Sequence, residues 1–289
     1  MLTANLRGAG WIVLSAIAAT VMGIGIRALA PDMHPTQITF VRCVLGFVLI
    51  LPFVHANGAA ALATRRWRLH LVRGLLGAVG INLGFYSLTI MPLVTATALF
   101  FTAPLFVTVL AGWMLGEKVG WRRWTATFAG FLGTVIVVGF RPGGFQPEML
   151  VAVVSSFAFA LALILGKRLT MTERTSTIMF YFAAATSVLS LGPAMVTWTT
   201  PSTSQMGLLL LVAVFASART FFDLRGYKVG EASFVAPFVY FRIIFMGIAG
   251  YLLFAEVPEH SALAGAAVIM LSTLYIVHRE AALRHATSY

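Results

Sequence analysis

The sequence predicts an all-α polytopic membrane protein, with ten transmembrane helices arranged as two inverted five-helix repeats. Three observations carry that expectation: an apolar composition, a one-sided placement of cations, and an internal repeat. Of 289 residues, 60% are hydrophobic and 10% charged, against about 45–50% and about 25% in an ordinary soluble domain. So much apolar surface cannot be hidden in a soluble core of this size, and it equally excludes a disordered chain. Cys43 is the single cysteine, which excludes a disulfide scaffold. A spanning helix needs about 20 apolar residues, so ten use roughly 200 and leave only short connections.

Ten apolar segments run over residues 10–30, 36–54, 70–89, 93–114, 122–140, 149–168, 177–197, 206–224, 232–254 and 261–278. The breaks between them have chemical causes. Pro31 and Pro35 separate the first two, and Met91-Pro92 divides the third from the fourth. Arg141-Pro142-Gly143-Gly144 is a turn signal, Thr199 to Ser204 is a polar loop around Pro201, and Pro258 divides the last two. Arg7, an apolar run and Ala28-Leu29-Ala30 imitate a signal peptide. The run is too long for one, however, and Arg27 and Pro31 sit badly around such a cleavage point.

With the N-terminus placed in the cytoplasm, the inner segments and span ends hold fourteen cations: Arg7, Arg65, Arg66, Arg68, Lys118, Arg122, Arg123, Lys167, Arg168, Arg174, Arg225, Lys228, Arg279 and Arg284. The outer loops hold only Arg141, beside the acids Asp32, Glu148, Glu256 and Glu259. This bias predicts a multi-pass inner-membrane protein with both termini cytoplasmic. It accounts for the net charge of +11 without a nucleic-acid partner.

Segment 91–117 and segment 230–256 have equal length, and each ends in a small residue followed by an acid, Glu117 and Glu256. The following spans carry Ala129-Gly130 and Ala264-Gly265. Trp11–Leu29 aligns with Val151–Leu169, placing Ser15 on Ser155 and Arg27 on Lys167. The repeats are therefore expected over 1–145 and 146–289. Five spans is an odd number, so the second half enters the membrane inverted, an arrangement that suits alternating access in secondary transporters.

These features resemble the drug/metabolite transporter superfamily, EamA-type, along the whole chain. The resemblance rests on the two five-span halves, the endings Leu115-Gly116-Glu117 and Phe254-Ala255-Glu256, the Pro104 to Glu117 spacing, and Arg42 inside span two. It implies a central cavity between spans 1, 3, 4, 6, 8 and 9, with spans 5 and 10 peripheral. It also implies export of small metabolites, and the chain is similar to an aromatic amino-acid exporter branch. The second half departs from the pattern, with Ile243 where the first half has Pro104.

Ionisable residues at lipid depth are functional candidates by default. Set apart from inner-end cations such as Arg73, they are Arg27, Arg42, Arg219 and Arg242. Arg27 and Arg42 fit structural or interfacial roles, and Asp223 is placed to pair with Arg219 one turn away. Arg242, ten residues into span nine, has no acid at its own depth; a role in binding an anionic group and a structural role both remain open. Asn82 and Tyr86, with Ala78, share one face of span three. That face is either a cavity wall or a packing seam beside Gly74, Gly77, Gly80 and Gly84.

Span four offers Thr97, Phe101 and Pro104. Span nine offers Ser233, Pro237, Tyr240 and Ile244, and the repeat sets Phe101 on Tyr240 and Ala98 on Pro237. The prolines are gating candidates because each frees a backbone carbonyl, and a packing kink is the alternative. Trp11, Ser155 and Ser156 complete the expected binding set.

Enzyme signatures are absent. No H-E-x-x-H, P-loop or G-x-S-x-G occurs, and no acid pair could hold Mg²⁺ for prenyl transfer. No cofactor or metal is expected; the partners expected are a small-molecule substrate and membrane lipid. The function expected is gradient-driven export of amino acids, aromatic or other neutral, or of similar small metabolites. The alternatives are a membrane-embedded enzyme or lipid-handling protein and, within transport, a proton-coupled antiporter or a channel.

Overall fold

The computed structural model describes residues 2–56, 62–90, 99–138 and 147–254, together with isolated helical positions at 264, 267, 268, 270, 271 and 275. Among the described residues the regular structure is helical, with no strand. The helices are α1 (Leu2–Leu29), α2 (Pro35–Ala56), α3 (Trp67–Ile90), α4 (Ala103–Leu115), α5 (Trp121–Val138), α6 (Met149–Thr170), α7 (Thr175–Val196) and α8 (Thr203–Val229). A short α9 (Ala232–Val235), a 3₁₀ turn (Ala236–Tyr240) and α10 (Phe241–Phe254) follow. Among the described residues, six segments are long and apolar enough to cross a membrane: α1, α2, α6, α7, α8 and the composite Ala232–Leu253. Most of the expected tenth span falls outside the described residues, as does the start of span four, residues 93–98.

The bundle carries large apolar side chains on its outside and buries polar groups within a mainly apolar interior. Trp113, Val188, Val196 and Leu252 are among the most exposed side chains, whereas Gln37, Thr39, Arg73, Thr108, Asp223 and Ser233 are buried. That arrangement suits a lipid solvent, which requires polar groups to find partners within the protein. The most extensive helix contacts are α1 with α8, α3 with α6, and α2 with α7. The α3–α6 seam is thin because Gly80 lies against the backbone of Ser155 and Phe159. Apolar clusters close the ends: Leu29, Ile38 and Leu209 at one, Leu169, Ile178 and Leu224 at the other.

Local sequence explains the elements that position the site. Ser202 and Gln205 form a reciprocal capping box that starts α8. Gly116, at φ 68°, ends α4 in a left-handed turn, and the Glu117 N–H closes back on the Ala111 carbonyl at 3.2 Å. Span nine is not one helix. Pro237, which has no N–H to donate, sits at the start of the 3₁₀ turn between α9 and α10. A break thus occurs in span nine even though Ile243 replaces the expected proline. Span four is irregular at Phe101-Thr102, just before α4, beside its repeat position Tyr240.

Candidate functional site: a charged centre shared by two cavities

The site is built on α8. Two turns before its end, Asp223 accepts a 2.5 Å hydrogen bond from Ser15 Oγ of α1 and pairs with Arg219 Nε at 3.7 Å. Arg242 and Arg73 also act on Asp223 electrostatically. Asp223 falls inside the expected span eight, and Asp223 and Arg242, which the sequence reading set at different depths, line the same cavity.

Two cavities share the wall formed by Phe159, Leu163, Arg219, Asp223 and Tyr227. The larger, about 100 Å³, lies among α2, α3, α6, α7 and α8 and adds Arg42, Cys43, Arg73, Phe182 and Thr186. The smaller, about 50 Å³, lies among α1, α4, α6, α8, the 3₁₀ segment and α10 and adds Ser15, Pro104, Val239 and Arg242. Four guanidinium groups and one carboxylate face these spaces. The Arg219 guanidinium rests on Phe159 at 5.2 Å and that of Arg73 on Phe182 at 4.3 Å, geometries in which ring faces attract cations. Arg42 Nε has no hydrogen-bond partner among the described residues. Low-dielectric walls focus this positive potential, and the aromatic faces offer a flat apolar surface beside it.

The structure brings Arg42, Pro104, Arg219, Asp223 and Arg242 to the cavities. It places other predicted residues elsewhere. Asn82 donates to the Ala78 carbonyl at 2.9 Å and to Ser190 Oγ at 3.4 Å, tying α3 to α7. Ser155 donates to the Gly80 carbonyl at 2.6 Å, and Ser156 to the Leu99 carbonyl at 2.9 Å. Tyr240 is fully buried, its ring 5.9 Å from Phe101 and its hydroxyl donating to the Phe101 carbonyl at 3.2 Å. Trp11 stacks on Phe222 at 5.6 Å, and Tyr86 is exposed. Neither lines a described cavity. Pro237 is buried in the 3₁₀ turn, and Thr97 lies outside the described residues.

Sequence reasoning missed Arg73, Phe159 and Tyr227. Arg73 was set aside as an inner-end cation, yet α3 begins at Trp67 and carries it nearly two turns inward, where it donates to the Ile178 carbonyl at 3.3 Å. Gly166 opposite makes the space, since a Cβ there would stand 3.0 Å from Arg73 Nε.

Comparison with known proteins places this arrangement. The profile of the EamA-like transporter family matches residues 6–139 and 146–278. An S-adenosylmethionine uptake transporter of Rickettsia felis is 34% identical over 275 residues, spanning 95% of this chain and 94% of that protein. A riboflavin transporter of Vibrio cholerae is 30% identical over 280 residues, spanning 95% and 94%. A solved crystal structure, 19% identical, superposes with a TM-score of 0.79 over 98% of both chains, which shows a common fold.

Proposed function

The chain belongs to the EamA-like transporter family, and we propose that it carries zwitterionic, amino-acid-type solutes across the inner membrane by alternating access, S-adenosylmethionine being the first candidate. The observation that carries this reading is the pair of adjoining cavities, where Asp223, Arg219 and the Phe159 ring form the shared wall, Arg73 and Phe182 line the larger space and Arg242 the smaller. A solute with an α-carboxylate, a cationic centre and a planar ring answers all three features. Buried charge is costly unless matched, so a neutral solute such as riboflavin fits this wall less well. The similarity to an uptake transporter favours uptake. Export of free aromatic or other neutral amino acids is the second reading, favoured by the same pairing of guanidinium groups with one carboxylate.

The packing supports ten spans in two inverted halves, 1–145 and 146–289. The seams α1–α8 and α3–α6 exchange if spans 1–5 are swapped for 6–10, and so do α2–α8 and α3–α7. Phe101 touches Tyr240, its own repeat position, as residues beside a two-fold axis must. Both termini are cytoplasmic in this reading. Asp223 is already engaged by Ser15 and arginines, so the carrier follows the solute gradient rather than a proton.

The test is uptake into liposomes holding purified protein, with labelled S-adenosylmethionine, riboflavin and neutral amino acids offered separately. The account expects saturable entry of S-adenosylmethionine, recovered chemically unchanged and not accelerated by an imposed pH gradient. Entry of riboflavin with no entry of any amino-acid-type solute defeats it.

A further inference from the structure

At the end of the bundle assigned to the cytoplasm, a second polar cluster surrounds α9, the segment that leads into the 3₁₀ turn lining the smaller cavity. The Glu117 carboxylate, delivered by the left-handed turn at Gly116, accepts from Lys167 Nζ at 2.8 Å. It also accepts from the backbone N–H groups of Ala232 at 2.7 Å and Ser233 at 2.9 Å, and from Ser233 Oγ at 2.8 Å. Arg123 donates to Glu231 Oε2 and to Ser233 Oγ. Asn5 exchanges two bonds with Glu231, side chain to side chain at 3.3 Å and backbone N–H to Asn5 Oδ1 at 2.9 Å. Apart from the bond from Lys167 to the Gly230 carbonyl at 2.6 Å, every one of these bonds joins the first half of the chain to the second.

A network that only stabilised each repeat would run within the halves. This one runs between them, and it grips α9. Four residues beyond α9 the chain has become the 3₁₀ turn that presents Val239 to the smaller cavity, and Arg242 follows at the start of α10. Pro237 removes a donor there and makes this stretch the weakest part of span nine. Glycines close the same floor: a Cβ on Gly8 would stand 3.0 Å from the Gly226 carbonyl and the Gly230 Cα. The ionic groups are mostly but not wholly dehydrated, with side-chain exposures of 8% for Glu117, 14% for Lys167 and Arg123, and 33% for Glu231. Water can therefore solvate them once the halves part.

We propose that Glu117–Lys167 and Arg123–Glu231 form the cytoplasmic gate of the carrier, closed in this structure, and that it opens by releasing α9. The proposal rests on the carrier reading above, because alternating access needs a gate on each side. Glu117 and Lys167 are positioning residues: they hold α9, and through the 3₁₀ turn they set where Val239 and Arg242 stand.

Cys43 gives a readout that needs no solute, since it lines the larger cavity and is the chain's single cysteine. Its alkylation by a membrane-impermeant maleimide is followed in inside-out vesicles and in intact cells, for wild type, Glu117→Gln, Lys167→Met and Lys167→Arg. Removing one partner of a largely buried pair strands the other in the closed state. Glu117→Gln and Lys167→Met should therefore speed labelling from the cytoplasmic face about tenfold or more, with no gain from the outer face, while Lys167→Arg stays near wild type. Wild-type rates in both variants overturn the gate. Faster labelling from both faces also overturns it, because that reports general loosening. Faster labelling from the outer face alone keeps the gate and reverses the assigned orientation. The carrier reading fails separately, if wild type moves no solute into liposomes.

Discussion

The α1–α8 and α3–α6 seams are built alike and do different work. Ser15 and Ser155, which the sequence alignment of the two halves pairs, each reach across a seam to the neighbouring helix. Ser15 finds the Asp223 carboxylate beside Arg219, whereas Ser155 finds only the Gly80 carbonyl, with Gly84 a turn further along. One seam carries charge into the centre of the bundle and the other lets two backbones approach. Two similar seams thus frame an asymmetric site: both pack helices closely, while the chemistry sits mainly on α8, with guanidinium groups added by α2, α3 and α10.

The comparison breaks most severely at Asp223. Asp223→Ala leaves Arg219 unmatched in a largely buried wall, a loss of about 3–5 kcal/mol for a broken buried pair. Thermal unfolding of the purified protein should fall accordingly, and uptake should be abolished. On the other seam Gly80→Val is the corresponding injury. A Cβ at Gly80 would meet the Phe159 N and Ser155 O backbone atoms at 3.3 Å, and the further methyl groups of valine find no room. The expected cost is about 1–3 kcal/mol of overpacking, read as a lower melting temperature.

Paired serine substitutions sharpen the contrast. Ser15→Ala removes a hydrogen bond to a charged group, about 1.5–3 kcal/mol, whereas Ser155→Ala removes a neutral one, about 1 kcal/mol. Chemical denaturation of the two variants should rank them in that order, and uptake should fall only for Ser15→Ala. Equal losses in both assays would mean that the two seams are equivalent after all.

The smallest effect concerns pH at the gate. Burial alone would raise the Glu117 carboxyl, but Lys167 and the backbone N–H groups of Ser233 and Ala232 outweigh it and hold the group below its ordinary value of 4.5. A carboxyl lowered in this way contributes stability that is present above the ordinary value and lost only as pH falls through the lowered one. Cys43 labelling from the cytoplasmic face, normalised to denatured protein at each pH, should therefore stay flat between about pH 6 and about pH 8. A rise within that window would mean that a different group titrates at the gate.

What the sequence revealed and what it hid divide along physical lines. Apolar run length and Pro or Gly breaks located α2, α3, α6 and α7 to within about three residues, and the end but not the start of α1, because lipid constrains composition along a helix. Depth read from those runs also placed Arg42, Arg219 and Arg242 inside the bundle. Rotation about the helix axis was not legible, and rotation decides partners. Asn82, Tyr240 and Ser155 have the composition of a binding face, yet the structure turns them onto carbonyls and neighbouring helices. Arg73 was read as an inner-end cation and Glu117 as the acid that ends a repeat, and neither reading gave a partner. One is drawn inward by the length of α3, and the other is aimed across the halves by the turn at Gly116, where only the Gly itself was a visible signal.

The central claim is that guanidinium groups in the cavities receive the solute's carboxylate. Its most direct test is competition against labelled S-adenosylmethionine uptake in proteoliposomes, using the unlabelled solute and its decarboxylated analogue, with wild type, Arg242→Gln and Arg27→Gln at matched protein levels. Losing one charge-assisted hydrogen bond costs about 1.5–3 kcal/mol. The decarboxylated analogue should therefore compete at least about tenfold less well, and Arg242→Gln should slow uptake by a similar factor while Arg27→Gln stays near wild type. Equal competition by the two compounds, together with normal uptake by Arg242→Gln, would contradict the account and leave the arginines as structural groups.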